Sequence, residues 1–496
     1  MSCPFHGTLK VSRCTPFYVI LTSATAANLY DIVTIDKLPD NVLLEVFEYY
    51  VNDIFWKDVW RTLVQVCRRW RRIVFGSPRL LNLRLVCTAK TPVDEMLNIW
   101  PDLPIAISVC YIDEASGVDN VIATLGHNDR VRELEVNLWG YDRLEVEDVV
   151  GKIASAMQKP FPLLTSLTLR WNEEAEPAFP DSFLGGCPRL KVLHSNGIPS
   201  PALQRLLLSA TDLYSLCLGG VDRHYISPEE VVTCLSVLTR LEYLSFDLIY
   251  PRTPTDQESR HPHLPTRIVL PALRSLHFEE LGDSEYLEDL VAKIDAPLLN
   301  TIEIEFTDEA TPDTPQLAQL IRRSPKLKGF NEARLSFYDD SAEITLYIPS
   351  PSYRKICLGI SSGQPTLQPS SLAWVRIPSL LPLPTLEDLY ITENRFSCFW
   401  QDNENAWWLE VFRPFTAVKN LYLSKELVPC IVPVLQELIG ERVTEVLPAL
   451  QNIFLQDLQL SSGPVQEAVQ QFVTARRFSG YPVTVSHWER NSRSWV

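Results

Sequence analysis

The chain has 496 residues, a formal net charge of −16 and a hydrophobic fraction of 46%. This length and composition predict a folded, soluble protein of about three ordinary domains or one elongated repeat array. The negative charge argues against a nucleic-acid partner, because phosphate contacts require a basic surface. The eleven cysteines show no CxxC spacing, so we expect no zinc site and no disulfide framework, and reduced thiols fit the cytosol or nucleus.

Residues 1–33 contain a short apolar run, Phe17–Leu21, that loosely resembles part of a secretory signal. The run is shorter than the apolar region of a signal peptide and far shorter than a bilayer requires. We therefore expect a poorly ordered or strand-like N-terminal extension and no membrane partner. A true signal sequence would contradict the location suggested by the cysteines.

Residues 34–80 carry apolar side chains at helical spacing. Those predicted to share one face of a first helix are Leu43, Val46, Phe47 and Tyr50. A second helix is predicted around Trp60, and a third, containing Trp70, ends at Gly76. The arginines at positions 68, 69, 71 and 72 are typical of a solvated helix face. Without a metal or a disulfide, so small a segment normally needs a partner to hold its shape.

This segment resembles an F-box motif through the pattern LP…LL.VF…L..VCRRWRRI. F-box proteins dock onto the Skp subunit of an SCF (Skp–cullin–F-box) ubiquitin ligase. The resemblance implies that the docking and packing residues are Leu38, Pro39, Leu43, Leu44, Phe47, Val66 and Trp70. Tyr49 and Tyr50 depart from the family, which is usually more aliphatic there. The alternative is an ordinary helical hairpin that caps a solenoid.

From residue 81 to residue 485 the pattern L-x-x-L-x-L recurs, with successive copies 23 to 33 residues apart. The copies begin at Val131, Leu164, Leu190, Leu213, Leu241, Leu273, Leu299, Leu327, Tyr353, Leu386, Val418 and Leu450. Alternation of apolar and polar residues predicts a strand in each copy, and two weaker strands are predicted before them, at Leu80–Leu85 and Ile105–Val109.

Helical stretches separate the copies. Ser227 and Glu230 form a capping-box pattern that leads into one of them. The other predicted helices are Ser284–Ile294, Pro315–Arg323, Ala406–Phe412, Ile431–Ile439 and Val465–Arg476. Strand, helix and return at this period indicate a leucine-rich repeat, in which neighbouring copies stack to bury one continuous core. The array resembles that family without its regular asparagine position, and a parallel β-helix is the structural rival.

The predicted fold class is an α/β solenoid. A three-helix F-box at residues 34–80 precedes an irregular leucine-rich-repeat horseshoe at residues 81–485, with parallel strands and outer helices, and residues 486–496 form a tail. The combination resembles the F-box/leucine-rich-repeat proteins of mushroom-forming fungi. Two proline-rich segments, Pro251–Pro265 and Ser361–Pro384, interrupt the array as surface insertions or as partner-contacting loops.

No catalytic motif is present in the sequence: GxSxG, HExxH, GxxxxGK[ST] and GxGxxG are all missing. His261 and His263 lie in a proline-rich loop without a third ligand nearby, so we interpret them as loop residues. Carboxylates such as Glu133 and Glu135 alternate along predicted strands and indicate a solvated face. We therefore expect a non-enzymatic protein without a metal or cofactor.

Polar residues that alternate with the buried ones should face the concave surface of the horseshoe. This surface is predicted to be acidic in the middle and aromatic later. The candidate substrate-binding residues are Tyr243, Asp247, Glu279, Glu303, Glu305, Tyr390, Tyr422 and Phe454. Our hypothesis is a protein ligand with a basic segment, anchored on the aromatic residues. The alternative is a polar strand face whose aromatic side chains are covered by loops.

The predicted function is that of a substrate-recruiting subunit of an SCF-type ubiquitin ligase. Its partners would be the Skp subunit, the cullin and an unidentified protein substrate, with no nucleic acid. A leucine-rich-repeat scaffold without a ligase role is the second hypothesis, and a solenoid hydrolase ranks below it because no site is evident.

Overall fold

The computed structural model describes residues 35–53, 59–90, 93–110, 115–171, 175–219, 226–247, 267–281, 284–307, 314–338, 341–348, 354–361, 377–393, 405–438, 440–456 and 464–488. The predicted N-terminal extension, the segment Pro251–Pro265, most of Ser361–Pro384 and most of the tail lie outside these residues. The chain forms two compact units, of which the first ends at Asn82 and the second begins at Leu83.

The first unit contains three helices, as predicted. They are α1 (Asp40–Asp53), α2 (Trp60–Val66) and α3 (Arg68–Gly76), preceded by a 3-10 turn at Ile35–Lys37. The side chain of Cys67 caps α3 by accepting a hydrogen bond from the backbone N–H of Trp70, with a donor–acceptor distance of 3.4 Å. This cap satisfies a backbone donor at the start of α3, directly after α2 ends at Val66.

Only part of the apolar face of α1 is buried. Leu43 and Phe47, one helical turn apart, are buried, and the Phe47 ring lies 4.6 Å from the Trp70 ring, centroid to centroid. The four predicted residues share one apolar face of α1, and within it Val46 and Tyr50 are exposed. The helix turns these two side chains away because the unit encloses only one row of α1 residues.

The second unit is built on a sheet of sixteen strands within the described residues. Its strands and those of a small separate pair are, in chain order, β1 (Leu85–Thr88), β2 (Ile105–Val109), β3 (Val131–Leu138), β4 (Ser166–Trp171), β5 (Val192–Asn196), β6 (Ser215–Gly219), β7 (Tyr243–Asp247), β8 (Ile268–Val269), β9 (Ser275–Leu281), β10 (Ile294–Asp295), β11 (Thr301–Thr307), β12 (Glu332–Phe337), β13 (Ser341–Ile348), β14 (Arg354–Ser361), β15 (Asp388–Glu393), β16 (Asn420–Leu423), β17 (Asn452–Gln456) and β18 (Thr484–Trp488).

Helices lie between most of these strands. They are α4 (Val93–Ile99), α5 (Ala115–Leu125), α6 (Arg143–Ala156), α7 (Ser200–Ser209), α8 (Pro228–Leu235), α9 (Ser284–Ala292), α10 (Pro315–Arg323), α11 (Asn405–Phe412), α12 (Val428–Gln436) and α13 (Pro464–Phe478). The predicted capping box is present at the start of α8, where Ser227 and Glu230 exchange hydrogen bonds. The bounds of α10 agree with the prediction.

Alternation along the strands places the core. In β3, Leu134, Val136 and Leu138 are buried, whereas the side chains between them are partly exposed. The same alternation in successive strands buries one continuous apolar layer against the helices, as an α/β solenoid requires. We call the other side of the sheet, which carries the alternate polar side chains, the open face.

The sheet is mostly parallel, as predicted, with one antiparallel strand among the described residues. The spatial order is β9-β11-β14-β13-β12-β15, and β13 pairs antiparallel with both of its neighbours. The segment that forms β13 alternates Ala342, Ile344 and Leu346 as buried residues. It lacks the leading L-x-x-L of the repeat, so the repeat pattern did not identify it.

Both ends of the strand array also differ from the predictions. The predicted strand Leu80–Leu85 is wrong, because β1 begins only at Leu85. A turn precedes it, with Asn82 at a φ of 46°, a conformation that an extended strand cannot contain. At the other end, β18 adds a parallel strand beyond the last predicted copy.

Arginine side chains join successive repeats. Arg476 in α13 is 1% exposed, and its guanidinium donates hydrogen bonds to the carbonyl oxygens of Val443 (2.6 Å), Leu447 (3.3 Å) and Leu450 (3.1 Å). Burial lowers the pKa of this arginine. Earlier in the array, the half-buried Arg323 donates in the same way to two carbonyl oxygens of the preceding repeat. These arginines donate to backbone carbonyl groups near helix ends and in the turns between repeats.

Replacing Arg476 with methionine should therefore destabilise the C-terminal repeats by about 3 kcal/mol, because three buried carbonyl groups lose a charged donor. The adjacent Arg477 is exposed, so Arg477→Met is the matched control and should change stability by less than about 0.5 kcal/mol. Urea unfolding monitored by circular dichroism measures both. Equal effects of the two substitutions would show that the buried contacts do not stabilise the repeats.

Candidate functional site

The first unit offers only part of the predicted docking set at its surface. Leu43 and Phe47 are buried inside the helical unit and hold α1 in place. Pro39 and Val66 are exposed, and the remaining predicted residues, Leu38, Leu44 and Trp70, are partly exposed. A partner could therefore contact the segment before α1 and the end of α2 directly, whereas Leu43 and Phe47 could act only by maintaining the shape of the unit.

Two exposed side chains outside the predicted set add apolar surface to this unit. Tyr49 is 73% exposed and Val46 is also exposed, on the same helix as the buried pair. Val66, at the end of α2, is 58% exposed. These exposed apolar side chains are accessible to a partner. Helical periodicity could not identify Val46 as exposed, because it lies beside the buried row.

A salt bridge connects the first residue of α1 to α3. The Nε and Nη2 atoms of Arg69 lie 2.8 and 2.7 Å from Oδ1 of Asp40. The same Nη2 atom donates a hydrogen bond of 2.5 Å to the carbonyl oxygen of Leu38. Arg72 approaches the other carboxylate oxygen of Asp40 at 3.5 Å. The sequence indicated only a solvated face for these arginines, because their partners lie far away along the chain.

On the open face of the second unit, strand register aligns side chains into rows. Asp247 aligns with Glu279 in the next strand. Glu305 and Glu343 both align with Gly359, which lies between them in β14. We call Asp247, Glu279, Glu305 and Glu343 the acidic row. The antiparallel strand β13 contributes Glu343, which repeat spacing did not identify.

A cavity of about 380 Å³ is lined by three members of the acidic row and by the ion-paired Glu303 and Lys355. Its lining includes Glu279, Glu305, Glu343, Gly359 and Tyr338. A Cβ atom at Gly359 would lie 3.8 Å from Cβ of Glu343 and 3.9 Å from Cγ of Glu305. Because Gly359 has no side chain, the space between the side chains of Glu305 and Glu343 stays open as part of the cavity.

Glu303 differs from the acidic row although it was predicted with it. Its carboxylate lies 3.3 Å from Nδ1 of His277 and 2.9 Å from Nζ of Lys355. These two contacts, that with His277 above all, lower the pKa of Glu303 to about 2. Among the described residues, Glu279 and Glu305 have no ion pair. The negative charge available to a ligand therefore lies on Glu279 and Glu305 rather than on Glu303.

The three predicted aromatic anchors form a ladder across adjacent strands. The Tyr390 and Tyr422 rings stack at 4.2 Å, and the Tyr422 and Phe454 rings stack at 4.5 Å. Trp488 lies edge-on to both tyrosines at 6.0 and 5.7 Å, and its Nε1 donates a hydrogen bond to the carbonyl oxygen of Leu423. Burial raises the pKa of both tyrosines, so their hydroxyls remain protonated at neutral pH.

Part of this ladder is used inside the protein. Trp488 follows the last predicted repeat, and no repeat pattern pointed to it. Its ring packs at a steep angle against the rings of Tyr390 and Tyr422. These two side chains therefore offer a ligand less surface than the sequence suggests. Tyr243, the remaining predicted aromatic residue, lies 4.8 Å from the ring of His277, near the acidic row.

A row of hydrogen bonds runs beside the aromatic ladder. Asn420 donates to Asp388 at 2.7 Å, Asn452 donates to Asn420 at 2.8 Å, and the Thr484 hydroxyl donates to Asn452 at 2.5 Å. Although the usual repeat asparagine is missing from the sequence pattern, these residues form a short ladder of their own. The row links the side chains of β15 to β18 and holds their register.

Two cysteines of the open face are unreactive at neutral pH. Burial raises the pKa of Cys217 to about 11 and that of Cys357 to about 12, so both thiols stay protonated and are poor nucleophiles at neutral pH. The described residues contain no group of three side chains that could hold a metal ion. Within the same residues, no helix is both long and apolar enough to cross a bilayer.

Comparison with known proteins gives one family match. Residues 35–81 match the family model described as F-box-like. Among solved structures, the leucine-rich repeat-containing protein LegL7 from Legionella pneumophila is 14% identical, with a TM-score of 0.29; the alignment covers 79% of this chain and 97% of that chain. The TM-score is too low to add to the description of the fold.

No curated protein matches the chain significantly. The family match and the geometry of the strands together define the organisation of the chain. They show an F-box-like domain at residues 35–81, followed by an α/β solenoid of leucine-rich-repeat-like copies.

Proposed function

We propose that this chain is a substrate-recognition adaptor of an SCF-type ubiquitin ligase. The observation that carries the proposal is the F-box-like match at residues 35–81 on a helical unit that exposes Pro39, Val66 and Tyr49. The unit docks onto the Skp subunit, and through Skp the chain joins the cullin. A leucine-rich-repeat-like solenoid on the same chain supplies the second binding surface that an adaptor needs.

The mechanism is proximity rather than chemistry on this chain. Holding a target protein near the ligase raises the effective concentration of its lysines, so that ubiquitin transfer becomes effectively intramolecular. The residues that transfer ubiquitin belong to other subunits of the ligase. The adaptor needs no cofactor and works in the cytosol or nucleus.

The target binds to the open face of the solenoid. The candidate contact residues are Tyr243, Asp247, Glu279, Glu303, Glu305, Tyr390, Tyr422 and Phe454. Charge supports a target with a basic segment, because Glu279 and Glu305 have no ion pair among the described residues. Glu303 acts through its contacts with His277 and Lys355. Phe454 lies at the opposite end of the aromatic ladder from Tyr390.

The Skp interaction is tested by replacing Leu38 and Pro39 together with alanine. Both residues are at least partly exposed, so the helical unit should remain folded while binding to a purified Skp protein weakens by at least about tenfold. Leu208→Ala, an exposed leucine in the second unit, is the control and should bind as the wild type does. Titration calorimetry measures the affinities. A wild-type chain that does not bind Skp would exclude the adaptor and favour the scaffold without a ligase role.

The target surface is tested by charge reversal with Glu279→Lys and Glu305→Lys. Recovery of the proteins that co-purify with the wild-type chain should fall by about tenfold, because a like charge replaces an attractive one at the contact. The control reverses Asp119 and Asp129, two exposed carboxylates outside the strands. Quantitative mass spectrometry measures recovery, and circular dichroism verifies folding. Unchanged recovery with the first pair would rule out acidic recognition on this face.

A further inference from the structure

The entry of the chain into α1 depends on few backbone hydrogen bonds. Leu38 donates its N–H to the carbonyl oxygen of Ile35 at 3.2 Å, and the Pro39 carbonyl accepts from Leu43 at 3.0 Å. Pro39 has no N–H, so it donates no backbone hydrogen bond that could fix the segment. The backbone alone therefore leaves the direction of this segment weakly determined.

Arg69 supplies the missing connection. Its guanidinium contacts the Asp40 carboxylate through two nitrogens and the Leu38 carbonyl through one of them. These contacts join residues 29 and 31 positions apart and therefore tie the segment to α3. Arg69 is 32% exposed and Asp40 is 50% exposed, so the pair is half-buried and still within reach of solvent.

The other arginines of α3 serve different purposes. Arg71 donates through Nε to the carbonyl oxygen of Val64, a contact between α2 and α3. Arg72 reaches Asp40 only at 3.5 Å and is 76% exposed. Arg68 is exposed. Of the four, Arg69 makes the described contact with the Leu38 carbonyl, which immediately precedes the exposed Pro39.

We infer that Arg69, through its joint contact with Asp40 and Leu38, is a positioning residue that fixes the Leu38-Pro39 segment in the geometry that a docking partner contacts. The inference rests on the proposed function, because the partner is the Skp subunit. It assigns Arg69 and Asp40 a role in partner affinity although neither was among the predicted docking residues. A lysine cannot replace the arginine, because one ammonium cannot bridge the carboxylate and the carbonyl with the same planar geometry.

The affinity test uses the full chain and a purified Skp protein in titration calorimetry. Arg69→Ala and Asp40→Ala should each weaken binding about five- to tenfold, the scale of a charge-assisted contact that is partly exposed. The double variant should bind the Skp protein about as weakly as the more damaging single variant does, because both substitutions remove the same interaction. The Arg69→Lys variant should also bind the Skp protein weakly. Arg68→Ala removes a charge from the same helix and should bind as the wild type does.

A second measurement separates positioning from loss of folding. Hydrogen–deuterium exchange of the free chain should become faster at residues 35–40 in Arg69→Ala, with residues 60–66 unchanged. Arg71→Ala, the matched control, should affect residues 60–66 instead, because its contact is with Val64. Faster exchange across the whole helical unit would indicate a folding role and overturn the inference.

The two measurements also distinguish this inference from the proposed function. If the wild-type chain does not bind Skp, the adaptor proposal fails and the positioning role fails with it, whatever the exchange shows. If the wild type binds and Arg69→Ala binds equally well, only the positioning role is overturned. Additive losses in the double variant would mean that Arg69 and Asp40 act separately, which also contradicts it.

Discussion

The second unit depends on one constraint: no single repeat can enclose its own apolar face. Leu216, Leu244 and Leu276 lie side by side in adjacent strands and are all fully buried, because each is covered by the next repeat. Stacking is therefore obligatory, and the register that stacks the core also sets which side chains line up on the opposite side of the sheet. The rows on the open face follow from the packing of the core.

The antiparallel strand β13 is the clearest irregularity in that stacking, and its residues line the cavity on the open face. Where β13 enters antiparallel between β12 and β14, Glu343 and Gly359 become neighbours and the cavity of the acidic row opens. Departures from regular repeats are expected at functional sites, where local consistency yields to another requirement. The final strands, in contrast, use their side chains for closure: Trp488 covers the tyrosines and Arg476 satisfies the loop carbonyls.

Sequence periodicity predicted the elements well and their long-range contacts poorly. The strands of the predicted repeat copies from Val131 onward and the helix at Pro315–Arg323 follow from local periodicity, which depends only on neighbouring residues. The antiparallel strand β13 depends on pairing between segments that carry no shared motif. The contacts of Arg69 with Asp40 join positions far apart in the chain, and no single-sequence pattern specifies them. Glu303 was predicted as an acidic contact because its ion-pair partner, Lys355, lies in a neighbouring strand and far away along the chain.

We propose that the chain joins a ligase subunit through its F-box-like domain while the open face stays available to a target. Hydrogen–deuterium exchange of the full chain, with and without a saturating purified Skp protein, tests it most directly. Slower exchange confined to residues 35–81, with β9 and β11 unchanged, is the predicted result. Slower exchange in β9 and β11 instead, or no change at residues 35–81, would contradict the account.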